Sequence, residues 1–226
     1  MKFKLVKGVG KYSEGTSCIM SAAVAYKRVL DGMDIGEATD KLDCVCPVIR
    51  AFLIRVNDSA IWSDDLHRTN VLLPLIPRIV GTNNPELLLK RMFFLVNWSV
   101  KTIAPLILRW QNFEDHAEKL ESLKDIVDYE SANAANAVAR CIARPIATYN
   151  YVVVDCVVRA IVSVTTNAAN ATNSYVVVGD ATAAATAAAN VVNVVHPPIC
   201  YVGVAQFKEK IVVEVVKVLD QLLDIK

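Results

Sequence analysis

Through the first 130 residues, apolar side chains recur every three or four positions, in short runs that proline and glycine interrupt. That spacing lines them up on one face of a helix. Thr16 or Ser17 is placed to cap a first helix reaching about Leu30, with Ile19, Ala22, Ala23, Tyr26, Val29 and Leu30 inward and Gly32 as its stop. Pro47 suits the first turn of a second helix, which directs Val48, Ile49, Phe52, Leu53 and Val56 inward. A third starts at Ser63, carries Asp64 and Asp65 in its first turn, is disturbed by Pro74 and Pro77, and closes at Gly81. A fourth opens at Pro85-Glu86 and runs through Trp98, and Pro105 predicts a kink or break beyond it. A short fifth covers Glu114 to Leu123.

Between residues 131 and 195 two signals conflict. Tyr151-Val152-Val153-Val154 favours strand by propensity. The polar residues nevertheless step by three or four: Asn133, Asn136, Arg140, Arg144 and Thr148; then Asp155, Arg159, Ser163, Asn167, Asn170 and Ser174; then Thr182, Thr186, Asn190 and Asn193. A strand would alternate with period two. Spacing therefore overrules propensity and predicts about three helices with one narrow polar stripe, broken near Pro145 and at Gly179-Asp180. So thin a stripe implies burial on most sides, and the alanines let helix axes approach closely. A last amphipathic helix, Phe207 to Ile225, turns Ile211, Val215, Val218, Leu219 and Leu222 inward.

The predicted fold class is all-α: a multi-helix bundle with Ala/Val-rich, closely packed C-terminal helices. Its two regions, a helical N-terminal region (residues 1–130) and an Ala/Val-rich helical region (residues 131–226), are expected to pack as one unit. Composition sharpens that division. From Ser131 to Val195 the charged residues are Arg140, Arg144, Asp155, Arg159 and Asp180, whereas Trp62, Trp98 and Trp110 all lie in the N-terminal region, at helical apolar positions that read as core.

Over the whole chain, 54% hydrophobic and 21% charged residues exclude global disorder and require a sizeable core. A net charge of +1 gives no electrostatic reason to expect nucleic acid or an anionic membrane as partner. The start, Met1 to Gly8, has charge but no apolar run of a secretory signal behind it. Tyr151 to Val164 falls short of the ~20 residues that span a bilayer and carries Asp155 and Arg159. Six widely spread cysteines without an export signal read as reduced thiols of a cytoplasmic protein, with Cys141 and Cys156 as small core hydrophobes.

Asp40-Lys41-Leu42-Asp43-Cys44-Val45-Cys46-Pro47-Val48-Ile49 is the most specific run of the chain. Asn57-Asp58, Leu73-Pro74-Leu75-Ile76-Pro77-Arg78 with Gly81-Thr82, Trp98 and Ala104-Pro105 come after it, ahead of the Ala-rich tail. Together these resemble a family of uncharacterised bacteriophage and bacterial proteins, over roughly residues 16–195. This tail is richer in Val, Asn and Thr than the family's Ala, Arg and Trp. The resemblance implies phage or bacterial origin and a helical fold, and no chemistry.

Cys44-x-Cys46 before Pro47 is the sharpest candidate for chemistry, because a thiolate at a helix N-terminus is stabilised by the helix dipole. Structural zinc needs about four ligands from closely paired units, and the other candidates, Cys18, His67, His116, His196 and Cys200, are distant in sequence. The segment reads as a helix cap with packed thiols, with no metal and no cofactor expected. Arg50 and Asn57, seven apart, share a helix face and with Asp43 would form a polar network or pocket; Asn57-Asp58 otherwise ends the second helix. Asp64-Asp65-x-His67 is accounted for by the preference of acids for a first helical turn. Asp155 and Arg159 form an i,i+4 pair that would fix register; Arg140 and Arg144 on the same stripe could bind an anion, but the expectation is that they pair with acids of the N-terminal region. The chain has no Gly-rich phosphate loop, no G-x-S-x-G and no H-E-x-x-H.

No catalytic residue is assigned. The binding candidates are Asp43, Cys44, Cys46, Arg50, Asn57 and Asp58. The expected function is a non-catalytic helical interaction or assembly protein, a phage-encoded accessory factor in the host cytoplasm. Its partner would be a protein, itself or another, and self-association into a symmetric dimer is the simplest way to cover nearly all-apolar helices. The alternative is a small-molecule binder or enzyme of phage–host conflict that uses Asp43, Cys44, Arg50, Asn57 and Asp58.

Overall fold

The computed structural model describes the backbone of residues 3–146, 152–171 and 204–226, and the side chains of residues 3–142, 159–168 and 205–226. Among the described residues the regular structure is helical apart from two short strands, β1 (Lys4–Leu5) and β2 (Thr16–Ser17), which pair in parallel with Lys4 opposite Thr16. The all-α class holds. The strands have no counterpart in the residue pattern, and they change how the first helix begins. Thr16 and Ser17 are drawn into extended pairing, the Ser17 carbonyl accepting the Val6 N–H at 2.8 Å. Cys18 caps α1 (Ile19–Leu30) instead, its Sγ accepting the Ser21 N–H at 3.3 Å.

Burial in α1 is concentrated from Ile19 to Ala25, the turns that face α2 and α4. The last turn projects beyond them. Val29 and Leu30, expected inward, are 52% and 61% exposed. Gly32 does stop the helix: at φ +71° it lets its own N–H reach the Val29 carbonyl and the Met33 N–H reach the Arg28 carbonyl, the double closure that suits glycine.

Pro47 opens α2 (Pro47–Asn57), and Val48, Ile49, Phe52, Leu53 and Val56 are fully buried. Asp64, rather than Ser63, caps α3 (Asp65–Leu72), its carboxylate accepting the His67 N–H at 2.7 Å. Pro74 and Pro77 restrict the next segment to a 3₁₀ turn and α4 (Ile76–Ile79). Pro105 does not break its helix. The chain stays helical from Pro85 to Trp110, as a 3₁₀ turn, α5 (Leu88–Trp98), a π-helical turn Ser99–Ile103 and α6 (Ala104–Trp110). The wider π turn accommodates the ring and the missing N–H. This stretch is long and apolar enough to cross a membrane, but 72% of its most apolar window is buried inside the protein, as in a core helix.

After α7 (Glu114–Glu121) come α8 (Tyr129–Ile146) and α9 (Val152–Ala171), separated near Pro145 as the stripe predicted. The Val-rich stretch is helix. Ala132, Ala135 and Ala139 of α8 are buried, as are Ile161, Val164 and Ala168 of the adjacent α9. Asn133, Arg140, Arg159 and Ser163 lie on the exposed side. Alanine at three- and four-residue spacing leaves room for the facing valine and isoleucine, which is why the two axes come close. Asn136 and Thr166 join the pair at its rim, 3.1 Å apart.

Finally α10 (Val204–Asp224) buries Ile211, Val215, Val218, Leu219 and Leu222 completely. Phe207 stacks on Trp110 at 4.5 Å, and Arg78 grips Asp220 and Asp224. One apolar cluster runs through residues of both regions of the chain. The predicted break at Gly179-Asp180, the third Ala-rich helix, and the positions Cys156, His196 and Cys200 lie outside the described side chains.

Candidate functional site

The segment leading into α2 is fastened from outside. The Cys46 N–H donates to the Thr82 hydroxyl at 3.1 Å, and the Cys44 carbonyl accepts the Asn83 N–H at 2.9 Å. Asn83 Nδ2 donates to the Asp43 carbonyl at 2.7 Å. Cys46 precedes Pro47 as the cap residue without a side-chain bond of its own, and its thiol is fully buried beside Val45 and Val48. Cys46 is thus the cap residue with a packed thiol, Thr82 supplying the bonding, whereas Cys44 is only half-buried.

Asn57 and Asp58 serve a different joint. α2 is about 16 Å long at 1.5 Å per residue, so they sit at the far end from Cys46. The buried Asn57 amide accepts the Ile19 N–H at 3.3 Å and donates to the Val6 carbonyl at 2.8 Å and the Asp58 carboxylate at 2.9 Å. Asp58 accepts the Gly8 N–H at 2.9 Å. The pair thus ties the N-terminal strand segment to the start of α1 and the end of α2.

Asp43 and Arg50 are the two candidates that meet. They line a cleft of about 500 Å³ with Asp40, Lys41, Ala51, Ile54 and Arg55. α2 forms one wall, with Arg50 and Arg55 flanking Ala51 and Ile54; the loop before α2 forms the other. Three positive and two negative side chains face the cleft, and among the described residues no ion pair joins them. The loop wall is fixed at two points. Arg28 donates to the Ile35 carbonyl at 2.6 Å, and Asn83 holds the Asp43 carbonyl. Burial raises the Tyr12 hydroxyl above its ordinary pKa.

Sequence reading missed Arg91, the residue behind the Thr82 loop. It is buried in α5, donating to the Thr82 carbonyl at 2.5 Å and the Ile225 carbonyl at 3.0 Å. The signal was present: Arg91 falls on the same face as Leu88, Met92, Leu95 and Val96, a charge in an otherwise apolar stripe. Arg68 is a second case, buried and bonded to Asp65.

The Asp64-Asp65-x-His67 run is spent on structure. Asp64 is the cap, while Asp65 pairs with Lys4 and Arg68, and Lys4 holds its carboxyl below the ordinary value. His67 lies 3.1 Å from the Ser63 hydroxyl and packs edge-on to Trp62. Arg140 bonds Asn136 of its own helix rather than an acid, and Arg159 is exposed. Cys18, Cys44, Cys46 and Cys141 are free thiols. Cys141, expected in the core, is exposed, because it adjoins Arg140 on the outward side of α8 and borders a second cleft with His116 and Lys119. Among the described residues, no group of three His, Cys, Asp or Glu side chains is arranged to hold a metal ion.

No family model matches the chain, and no curated protein or solved structure is significantly similar to it.

Proposed function

We propose that the chain is a non-catalytic helical assembly protein that associates with a second copy of itself, as a phage-encoded accessory factor in the host cytoplasm. The observation that carries the reading is the apolar tip of α1. Val29, Leu30 and Met33 stand 52%, 61% and 54% exposed around a helix end that Gly32 closes rigidly. Adjacent large apolar side chains held in solvent mark an interaction surface more often than a scattered single one does. The chemistry of the candidate residues supports the same side: Asn57, Asp58 and the Cys44–Cys46 backbone are engaged in holding the fold together. Neither arrangement offers a nucleophile paired with a base.

In a two-fold dimer the same patch meets its own copy, so residues near the axis face their equivalents. Met33→Cys should therefore form an intermolecular disulfide under mild oxidation, giving a non-reducing band at twice the chain mass of 24.7 kDa. Wild-type protein, with Cys44 and Cys141 as the accessible thiols among the described residues, sets the background. Equal crosslinking of wild type and variant would refute the tip as the contact.

A further inference from the structure

Nearly every arginine whose side chain is described has an acceptor within the protein. Arg28 and Arg91 bond carbonyls, Arg68, Arg78 and Arg109 bond carboxylates, Arg140 bonds an amide, and Arg159 is also engaged. Arg50 and Arg55 are the exceptions, and both line the cleft beside α2. Arg50 is half-buried there and Arg55 is exposed. Lys41 adds a third cation on the facing wall, beside Asp40 and Asp43, which likewise have no side-chain partner.

The loop wall is fixed by Arg28 and Asn83, and the opposite charges share the cleft without pairing. At Gly36 the backbone sits at φ +68° against the Arg28 guanidinium, which would have to shift to admit a side chain there. The cleft is therefore preorganised, which lowers the ordering cost of filling it. Its volume of about 500 Å³ falls in the range of small-molecule sites.

We propose that this cleft binds a small phosphorylated molecule whose body carries hydroxyl groups. Each guanidinium is a planar fork that one carboxylate satisfies alone. Two forks and an ammonium call for a group with more oxygens and more charge, which a phosphate monoester supplies. Asp40 and Asp43 accept from the hydroxyls at the other end, while Ala51 and Ile54 lie under the body. This site is separate from the apolar tip of α1 and stands whether or not the chain dimerises.

Titration calorimetry with ribose 5-phosphate, inorganic phosphate and ribose tests it. Ribose 5-phosphate should bind saturably and more tightly than inorganic phosphate, and ribose should not bind. Arg50→Gln and Arg55→Gln should each weaken ribose 5-phosphate by about tenfold or more, with unchanged far-UV circular dichroism. Asp43→Asn should weaken ribose 5-phosphate but not inorganic phosphate, since it removes an acceptor and a repulsive charge together. No saturable binding of either phosphate probe, or undiminished binding by the double arginine variant, would overturn the site. Equal affinities for the two phosphate probes would overturn the role of Asp40 and Asp43.

Discussion

Removing the Asn57 amide should damage the fold far more than removing the Asp58 carboxylate one residue along. Asn57 is fully buried and holds the Ile19 N–H and the Val6 carbonyl, two backbone groups with no other partner at that joint. Asn57→Ala orphans both, at about 1–3 kcal/mol for each buried polar group. The Ile19 bond is long at 3.3 Å and sits at the low end, so the total is about 3 kcal/mol. For a chain of this size that lowers Tm by about 6–12 °C. Asn57→Asp should be worse, since it deletes the donor to Val6 and buries a second carboxylate against Asp58. Asp58→Ala loses two bonds, from the exposed Gly8 N–H and from the Asn57 amide, which keeps its bond to the Val6 carbonyl; that is about 1–1.5 kcal/mol and should move Tm by no more than about 6 °C. Thermal unfolding followed by circular dichroism measures all three. If Asn57→Ala unfolds within about 2 °C of wild type, the joint does not work as described, and a ligand-facing role for Asn57 regains ground.

Other expectations rest on the same geometry. Arg91→Met deletes two bonds from a buried guanidinium to the Thr82 and Ile225 carbonyls and should cost about 2–3 kcal/mol in urea unfolding; a loss too small to resolve would contradict its role as a tie. His116 is held below its ordinary pKa of 6.5 by burial and then by Lys119. Its contribution is thus present above 6.5 and lost as pH falls through the folded value, so wild-type Tm should drop more than that of His116→Gln between about pH 7 and about pH 5. Parallel profiles would remove His116 as the cause. A short pulse of alkylating agent on native protein should label Cys141 and Cys44 and spare Cys18 and Cys46, which are 5% and 0% exposed; labelling of Cys46 at the rate of Cys141, read by peptide mass spectrometry, would contradict its burial.

Periodicity made most of the helices legible in the sequence, and it was right where it conflicted with propensity. α9 is helical through Val152-Val153-Val154 because Arg159, Ser163 and Asn167 need one outward face, which outweighs the preference of valine for strand. Termini were less legible. Cys18 rather than Ser17 caps α1 because Ser17 is claimed by a strand that pairs with residues twelve positions away. Val29 and Leu30 have the spacing of core residues but stand exposed in the last turn, and spacing along one helix carries no record of where its neighbours end. At Pro105, sequence reported the missing N–H but not the π turn that absorbs it.

The candidate site was legible only to a degree. Asp43 and Arg50 meet in the cleft, whereas Asn57, on the same helical face as Arg50, lies two turns away and is turned to other work. Asp40, Lys41 and Arg55 were passed over because nothing in the order of residues marks an arginine as lacking a partner. Their lack of partners is a property of the fold, in which the other described arginines have acceptors.

The assembly reading is tested most directly by the molar mass of the wild-type chain in solution, measured by light scattering across the micromolar range beside a Leu30→Glu/Met33→Glu variant. Both side chains are more than half exposed, so the variant should fold. Wild type should approach twice the 24.7 kDa of one chain as concentration rises, and the variant should stay at one chain. A wild-type chain that remains monomeric at the highest concentration, or a variant that dimerises equally well, would contradict it.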